Sequence, residues 1–434
     1  MISFIKDVLS VVVSKFAIII FGLTTSIVLA RVLGPEKNGI IAALMVYPSL
    51  FMSIGSLGVR QSTTYFLGKR IFAENQIKKA ITQIWFLTSI ISVFVCYFLM
   101  TQLSKSGDHK ILVLLALIPI PFALFNTYNS GIFLGKNQIK EFNKVNWIPP
   151  LITLVLTLVL VIICALGIKG YFIAIIGGSM FISILLLFKN KFIRSFNLKF
   201  DWRVILPMIK LGSVYAIALL FIGLNAKLDI IILDWVSTDY ETGIYSKGYS
   251  VGNYLLQIPW MLNTIVFTRS AISKDGIEFS KRVCQLLRIT SLVILFLAIV
   301  LFLLSDFIIV FMFGEEFKES AMVLNYLLFG VLFLTLFKIL NQDLAGKGKP
   351  WVSMKAMIPG LIVNVILNIV LIPKYGAIGA AFASSLSYCL AIVLFFHFYS
   401  LSSKISLKEM FSYKKSDFDP IISMLKKIKF YSKE

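Results

Sequence analysis

Titratable and redox chemistry are scarce in this chain: among 434 residues there are two histidines and four cysteines, and charged residues make up only 15%. Cys96, Cys164, Cys284 and Cys389 lie far apart and mostly within apolar runs, which leaves neither a disulfide framework nor a metal knuckle. His109, in a short polar stretch, and His397, near the end of an apolar run, cannot build a metal site between them. There is no Walker loop, no nucleophile elbow and no paired-carboxylate motif in a soluble domain. An ATP-driven pump and a soluble-type enzyme are therefore not expected, and neither is a cofactor.

What the chain has in abundance is apolar length. Hydrophobic residues make up 58% and the mean hydropathy is +0.89, a composition whose surface would expose far too much apolar area if water were the solvent. Twelve apolar runs are legible, at about 8–32, 39–66, 80–103, 111–134, 147–167, 170–188, 208–233, 243–267, 286–304, 321–341, 356–373 and 376–400. Each is long enough to cross a bilayer core of about 30 Å at a helical rise of about 1.5 Å per residue. The expected fold class is an all-α polytopic membrane protein with twelve transmembrane helices. The first run is too long for a signal-peptide core and no small-residue cleavage site follows it, so it is expected to be retained.

The net charge of +21 at first suggests nucleic acid. The basic residues, however, are spread over short loops such as KNKFIRSFNLKFDWR (189–203) with no nucleic-acid-binding motif, a pattern that fits topology determinants touching anionic lipid. Of the 42 Lys and Arg, most fall on the N-terminus, the loops after even-numbered runs and the tail, and only six on loops after odd-numbered runs. Both termini are accordingly expected in the cytoplasm of a cell that places the chain in its plasma membrane. No nucleic-acid partner is expected.

The halves repeat. At an offset of 204 positions, IVLARVLGPEKNGI (27–40) lies over IILDWVSTDYETGI (231–244), matching Gly39 to Gly243 and Ile40 to Ile244. Pro48 then lies over Gly252 and Gly55 over Pro259, so each second run carries helix-weakening residues at the same two depths, which makes Pro48, Gly55, Gly252 and Pro259 hinge candidates. The ends repeat as well: LGKNQIKEFNKVNWIPPL (134–151) resembles AGKGKPWVSMKAMIPGL (345–361), and Gly167-x-x-Gly170 resembles Gly376-x-x-Gly379. Six runs per half make this a parallel repeat. The expected organisation is two pseudo-symmetric six-helix bundles at 1–188 and 208–400, a cytoplasmic linker at 189–207 and a basic cytoplasmic tail at 401–434.

Charges inside apolar runs either face a cavity or snorkel from a helix end. Lys210, Lys338 and Arg31 sit near run ends and suit snorkelling, whereas Lys15, Arg60 and Lys247 lie deeper and Lys227 deepest. Asp229 is the one acidic residue clearly inside a run. It cannot share a helix face with Lys227, two positions away, but does share one with Asn225. Either Asn225 and Asp229 face a cavity with Lys227 packed elsewhere, or a break near Gly223 reorients the turn. Three amide pairs have same-face spacing: Asn126 with Asn129, Asn253 with Gln257, and Asn364 with Asn368. They suit sugar contact or, equally, hydrogen bonding between packed helices.

SIVLARVLGPEKNGI, the following SLGVRQSTTYFLGKR, and in the second half YETGIYSKGYSVGNYLLQIPWMLNTIVFTRSA, MFGEEF and PKYGAIGAAFAS together resemble the polysaccharide repeat-unit (O-antigen, Wzx-type) flippases of the multidrug/oligosaccharidyl-lipid/polysaccharide (MOP) exporter superfamily, over about residues 5–400. The resemblance implies a V-shaped pair of six-helix bundles working by alternating access. It also implies a substrate of undecaprenyl-pyrophosphate carrying an oligosaccharide repeat unit, moved to the outer leaflet of a bacterial inner membrane for O-antigen or capsule synthesis. Besides membrane lipids, the partners implied are a polysaccharide polymerase and a chain-length regulator, with H⁺ or Na⁺ as coupling ion.

Within that frame Lys15, Arg60, Lys227 and Lys247 are the candidates for the pyrophosphate, the three amide pairs for the glycan and Asp229 for the ion. The alternatives are an ion-coupled multidrug or small-molecule antiporter of the same superfamily, or an exporter of teichuronic acid or peptidoglycan precursor. A membrane polymerase or ligase would need a larger outer loop than 305–320, the longest here.

Overall fold

The computed structural model describes residues 2–417 apart from 137, 197–198, 258–265, 268, 271–272, 274–275 and 350. The helices among them are α1 (Ile2–Ile54), α2 (Val59–Gly68), α3 (Glu74–Leu103), α4 (Lys110–Leu117), α5 (Pro119–Gly135), α6 (Ile139–Asn146), α7 (Ile148–Thr157), α8 (Gly167–Lys189), α9 (Trp202–Val236), α10 (Asp239–Leu255), α11 (Gly276–Leu303), α12 (Ser305–Phe313), α13 (Ser320–Gly346), α14 (Trp351–Ser403) and α15 (Leu407–Phe411). No strand occurs among the described residues. Helix is what a bilayer demands, because every backbone N–H and C=O in hydrocarbon must be paired within its own segment.

Eight helical stretches among the described residues are long and apolar enough to cross a membrane. Two of them, Val13–Gly68 and Trp351–Ser403, run 56 and 53 residues, about twice the length that one crossing needs. Each turns at a glycine with positive φ: Gly34 (φ 73°) in α1 and Gly376 (φ 54°) in α14. A residue with a Cβ is strained in this region, so glycine permits the chain to reverse between two helices with almost no loop. Gly167, the repeat counterpart of Gly376, has φ 57° and opens α8. Three residues on, a Cβ on Gly170 would lie 2.9 Å from the Leu160 carbonyl oxygen, and one on Gly379 2.6 Å from that of Leu371. The matched Gly-x-x-Gly strings thus make the same turn twice.

The outer surface is apolar, as lipid as solvent requires. Phe94, Phe296, Leu303 and Val393 are exposed, while interhelical positions hold small residues that bring backbones together. Gly330 packs on Ser385, whose Oγ accepts from the Gly330 N–H at 3.3 Å, and Gly131 packs against Thr63 and the Arg60 carbonyl.

Contacts divide the chain into two compact units, 1–246 with 312–316, and 247–311 with 317–434. The division falls inside α10, whereas the sequence places its linker at 189–207. That stretch is folded into the first unit: Lys78 Nζ donates to Asn190 O at 2.6 Å, Thr82 Oγ1 to Ser195 O at 3.3 Å and Gln83 Nε2 to Lys199 O. Asp201 caps α9, its side chain accepting from the Arg203 N–H.

In the first unit α9 and α10 meet α1 and α2 at two glycine pairs. A Cβ on Gly39 would lie 1.7 Å from Asp239 O and one on Gly243 2.1 Å from Pro35 O, while Gly58 and Gly212 are equally close, each against the backbone beside the other. Gly39 and Gly243 are the repeat counterparts, so here the two halves of the repeat touch at equivalent residues. The second unit is built on Cys284, Leu287, Phe337, Leu340, Phe395 and Tyr399. Of the basic tail, residues 404–417 are docked on this unit through α15 and Asp417, and 418–434 lie outside the described residues.

Candidate functional site

The four candidate cations divide between the units: Lys15, Arg60 and Lys227 belong to the first and Lys247 opens the second. Lys15 is in α1. Arg60 stands at the start of α2, just past the break where Leu57 (φ 45°) and Gly58 (φ 61°) interrupt the second apolar run. Its carbonyl is held by Thr64 Oγ1 at 2.8 Å. Lys15 and Arg60 are close enough to feel each other's charge. Both are half-buried, and so is Lys227 in α9.

Among the described residues, none of these three cations has a carboxylate within ion-pair distance. Two neighbouring like charges without counter-charge in a lipid-embedded unit are costly, and an anion brought to them would relieve that cost. Lys247 is buried, 6% exposed. Of the three cations expected at run ends, Arg31 is exposed and bonds Met312 O through Nε at 3.1 Å, Lys210 is exposed and Lys338 is half-buried.

The helix α9 runs unbroken past Gly223, which resolves the arrangement around Asp229. Asn225 and Asp229 share a buried face, at 4% and 1% exposure, and Lys227 occupies another. Asp229 Oδ2 accepts from the Tyr245 hydroxyl at 2.6 Å.

The amide candidates fall into two groups. Asn126 accepts from Ser183 Oγ at 2.9 Å, and Asn129, fully buried, donates to Phe125 O and accepts from Asn190 Nδ2 at 2.9 Å. Asn364 donates to Ser384 Oγ at 3.2 Å and accepts from Asn368 Nδ2 at 3.0 Å, with both asparagines fully buried. Asn126, Asn129 and Asn364 thus tie separate helical segments together, and Asn368 supports Asn364 from one turn away. Asn253, in the last turn of α10, and Gln257, two residues past its end, are half-buried.

Among the hinge candidates, Pro48 sits inside continuous helix and Gly55 lies at the break between α1 and α2, where a Cβ would meet Ser92 Oγ at 2.3 Å. Gly252 is helical within α10 and Pro259 lies outside the described residues. No group of three or more His, Cys, Asp or Glu among the described residues could hold a metal ion.

A family model described as "Polysaccharide biosynthesis protein" matches residues 28–322. The chain belongs to that family. The chain is 23% identical over 396 residues to the "Putative O-antigen transporter" of Shigella flexneri, covering 84% of this chain and 90% of that one. It is 33% identical over 108 residues to the "Probable low-salt glycan biosynthesis flippase Agl15" of Haloferax volcanii, covering 25% of this chain and 22% of that protein, so the match spans about a fifth of Agl15.

The fold is similar to "Lipid II flippase MurJ, inward closed conformation" (TM-score 0.75, 17% identity, 92% of this chain and 88% of that one). It is also similar to an inward-facing multidrug resistance MATE transporter of the MOP superfamily (TM-score 0.72, 11% identity, 88% and 94%). The resemblance carried by the sequence strings is thereby borne out at the level of the polysaccharide biosynthesis family, the likeness to the flippase and multidrug transporter structures is one of fold, and a multi-pass membrane protein built of apolar helices is borne out as well.

Three groups that the sequence does not single out emerge from the fold. Asp343, with no exposed surface, accepts from Ser270 Oγ at 2.7 Å, Ser280 Oγ at 2.5 Å, Tyr399 OH at 2.8 Å and Lys347 Nζ at 3.0 Å. Arg288 forms a two-pronged ion pair with Asp417, both bonds 2.7 Å, and also donates to the carbonyls of Glu409 and Met410. Asp234, near the end of α9, is 2% exposed and meets the 3₁₀ turn Lys105–Asp108. Only the first left a trace in sequence, as the i, i+4 spacing of Asp343 and Lys347.

Proposed function

We propose that the chain is a flippase that carries undecaprenyl-pyrophosphate-linked oligosaccharide repeat units from the cytoplasmic to the outer leaflet of a bacterial inner membrane, by alternating access, for O-antigen or capsular polysaccharide synthesis. Lys15, Arg60 and Lys227 carry this reading: three membrane-embedded cations with no carboxylate partner among the described residues. A pyrophosphate is the complementary charge. Ammonium donors and the planar guanidinium fork both match phosphate oxygens, and paying for desolvation of the anionic head inside the protein removes the main barrier to its crossing. The lipid tail need not leave the bilayer, and no covalent step is required.

The names of the relatives, a flippase in glycan biosynthesis and an O-antigen transporter, support the substrate class. We further propose twelve spans in two six-helix bundles with both termini cytoplasmic. Lys247 adds a fourth contact to the pyrophosphate, Asn253 and Gln257 meet the glycan, and Asp229 serves H⁺ or Na⁺ coupling. A polymerase and a chain-length regulator take the product onward. The similarity to multidrug transporters favours an antiporter of cationic drugs only at the level of fold, and unpaired cations repel such cargo.

Export in cells lacking their own repeat-unit flippase tests the proposal. Expression of this chain is expected to restore surface polysaccharide when the host makes a compatible lipid-linked repeat unit. Restored drug efflux without restored glycan would favour the antiporter.

A further inference from the structure

We infer that residues 312–316 are a latch seated on the turn 33–39, fastened by charge in both directions, which parts and re-forms as the transporter works. The stretches on either side of them, 247–311 and 317 onward, belong to the second unit, whereas these five residues pack with the first. They open the string MFGEEF (312–317), and their seat is the string LGPEKNG (33–39). Both strings stand out in the sequence, and the cation and amide candidates draw on neither.

The seat is a firm turn. α1 reverses at Gly34, and Asn38, 3% exposed, holds the bend from inside: its Nδ2 donates to Leu29 O at 2.9 Å and to Gly34 O at 2.7 Å. Both amide protons are used on the turn itself, so its shape does not depend on what rests against it.

The fastening is reciprocal. α12 ends at Phe313, and Arg31 Nε donates to the Met312 carbonyl at 3.1 Å, which sets a guanidinium at the partially negative end of that helix. In the other direction Glu316 Oε2 lies beside Gly34, where an added Cβ would stand 3.1 Å from it. A carboxylate is thereby placed at the partially positive start of the helix that resumes at Pro35. Each side offers the charge that the other's helix end attracts. Phe313 and Phe317, 1% and 0% exposed, bracket the segment, with Gly314 (φ 99°) between them.

The turn is held on a second side by the backbone of Asp239, against which Gly39 packs. Both holding segments come from the second half of the repeat, but they hold in different ways. Gly39 and Gly243 are buried and meet backbone to backbone, a contact that any separation would leave with unfilled space. Arg31, Glu315 and Glu316 are exposed, and exposed charges at helix ends hold weakly and yield to salt. The 312–316 contact is therefore the one suited to breaking in each cycle. The proposed topology puts both segments on the outer side, so the engaged latch keeps that side shut. This direction and the role in transport rest on the flippase reading, and the fastening does not.

Hydrogen–deuterium exchange of the full-length protein in detergent tests the fastening. Arg31→Gln should speed exchange across 311–318 and Glu316→Gln across 33–39, each by about two- to fivefold, the worth of one helix-end charge. Peptides around Asp343 should not change in either variant. Wild-type exchange rates in the facing segment of both variants would overturn the latch. For the role in the cycle, Arg31→Cys and Met312→Cys are bridged by a short bifunctional methanethiosulfonate reagent in protein whose Cys96, Cys164, Cys284 and Cys389 are replaced by serine. The bridged protein in proteoliposomes should stop flipping lipid-linked oligosaccharide, and thiol reduction should restore it. Full-rate flipping by the bridged protein would overturn the latch, because the contact would never need to part. A wild type that flips nothing would count against the flippase reading instead, and exchange would then decide the fastening alone.

Discussion

Lys136 and Lys347 occupy matching places in the two halves of the sequence, yet the ion pairs they form have opposite characters. Lys136 meets Glu74 at 2.7 Å across the ends of α5 and α3, with about a third of each side chain exposed, and Lys78 meets the same carboxylate at 2.7 Å. Lys347, which caps the C-terminus of α13, meets Asp343 in its last turn, where the carboxylate has no exposed surface, and the same ammonium donates to Gly276 O at 2.8 Å and to Ser280 Oγ, at the start of α11. The repeat preserved the lysine and its task of tying two helix ends together. The surroundings changed what the tie is worth: a solvated pair contributes at most about 1 kcal/mol, whereas removing one partner of a buried pair costs about 3–5 kcal/mol because the other is left uncompensated.

Replacing each lysine by methionine sets the two ion pairs side by side. Lys347→Met is expected to lower unfolding stability by about 3 kcal/mol or more, since Asp343 keeps its hydroxyl donors but loses its counter-charge. Equal losses in Lys347→Met and Lys136→Met, by thermal unfolding in detergent, would erase the distinction between the two sites.

An intermediate effect is expected at Arg288, which does for the tail what Lys347 does for the helix ends. Arg288→Ala should undock residues 404–417 at a cost of about 2–3 kcal/mol, since charge-assisted bonds to Asp417 are lost. The Arg288 guanidinium holds the Asp417 carboxyl below the usual carboxylate range. The carboxyl pKa is lower folded than unfolded, so its contribution is present above about pH 4 and fades as pH falls through the folded value. Limited proteolysis should find the tail protected at pH 7 and progressively cut with an acid-active protease below about pH 4. Protection unchanged down to pH 2 would contradict this. The smallest effect belongs to Lys136→Met, under about 1 kcal/mol and smaller still at high salt.

The same contrast explains what was legible in the sequence. Apolar run length and repeat offset are local signals, so the helices, the Gly167 and Gly376 turns and the meeting of Gly39 with Gly243 could be anticipated or fall on matched positions. Networks between distant segments leave no such trace. Asp343 finds Ser280 63 residues away and Arg288 finds Asp417 129 residues away. Asparagine spacing told which amides share a face but not what covers it, and the burial of Asn129, Asn364 and Asn368 came only with the fold. That Lys15, Arg60 and Lys227 have no carboxylate within ion-pair distance among the described residues is likewise a property of the assembled helices.

What these cations do is read from the rate at which purified protein in proteoliposomes flips an undecaprenyl-pyrophosphate-linked oligosaccharide, compared across charge variants at equal protein level. The lysine and arginine charges should matter more than their shapes. Lys227→Arg is expected to stay within about twofold of wild type, and Lys227→Glu to fall by about tenfold or more, an expected loss of roughly 1.4 kcal/mol. Wild-type rates in Lys15→Glu, Arg60→Glu, Lys227→Glu and Lys247→Glu alike would mean that these cations do not hold the pyrophosphate.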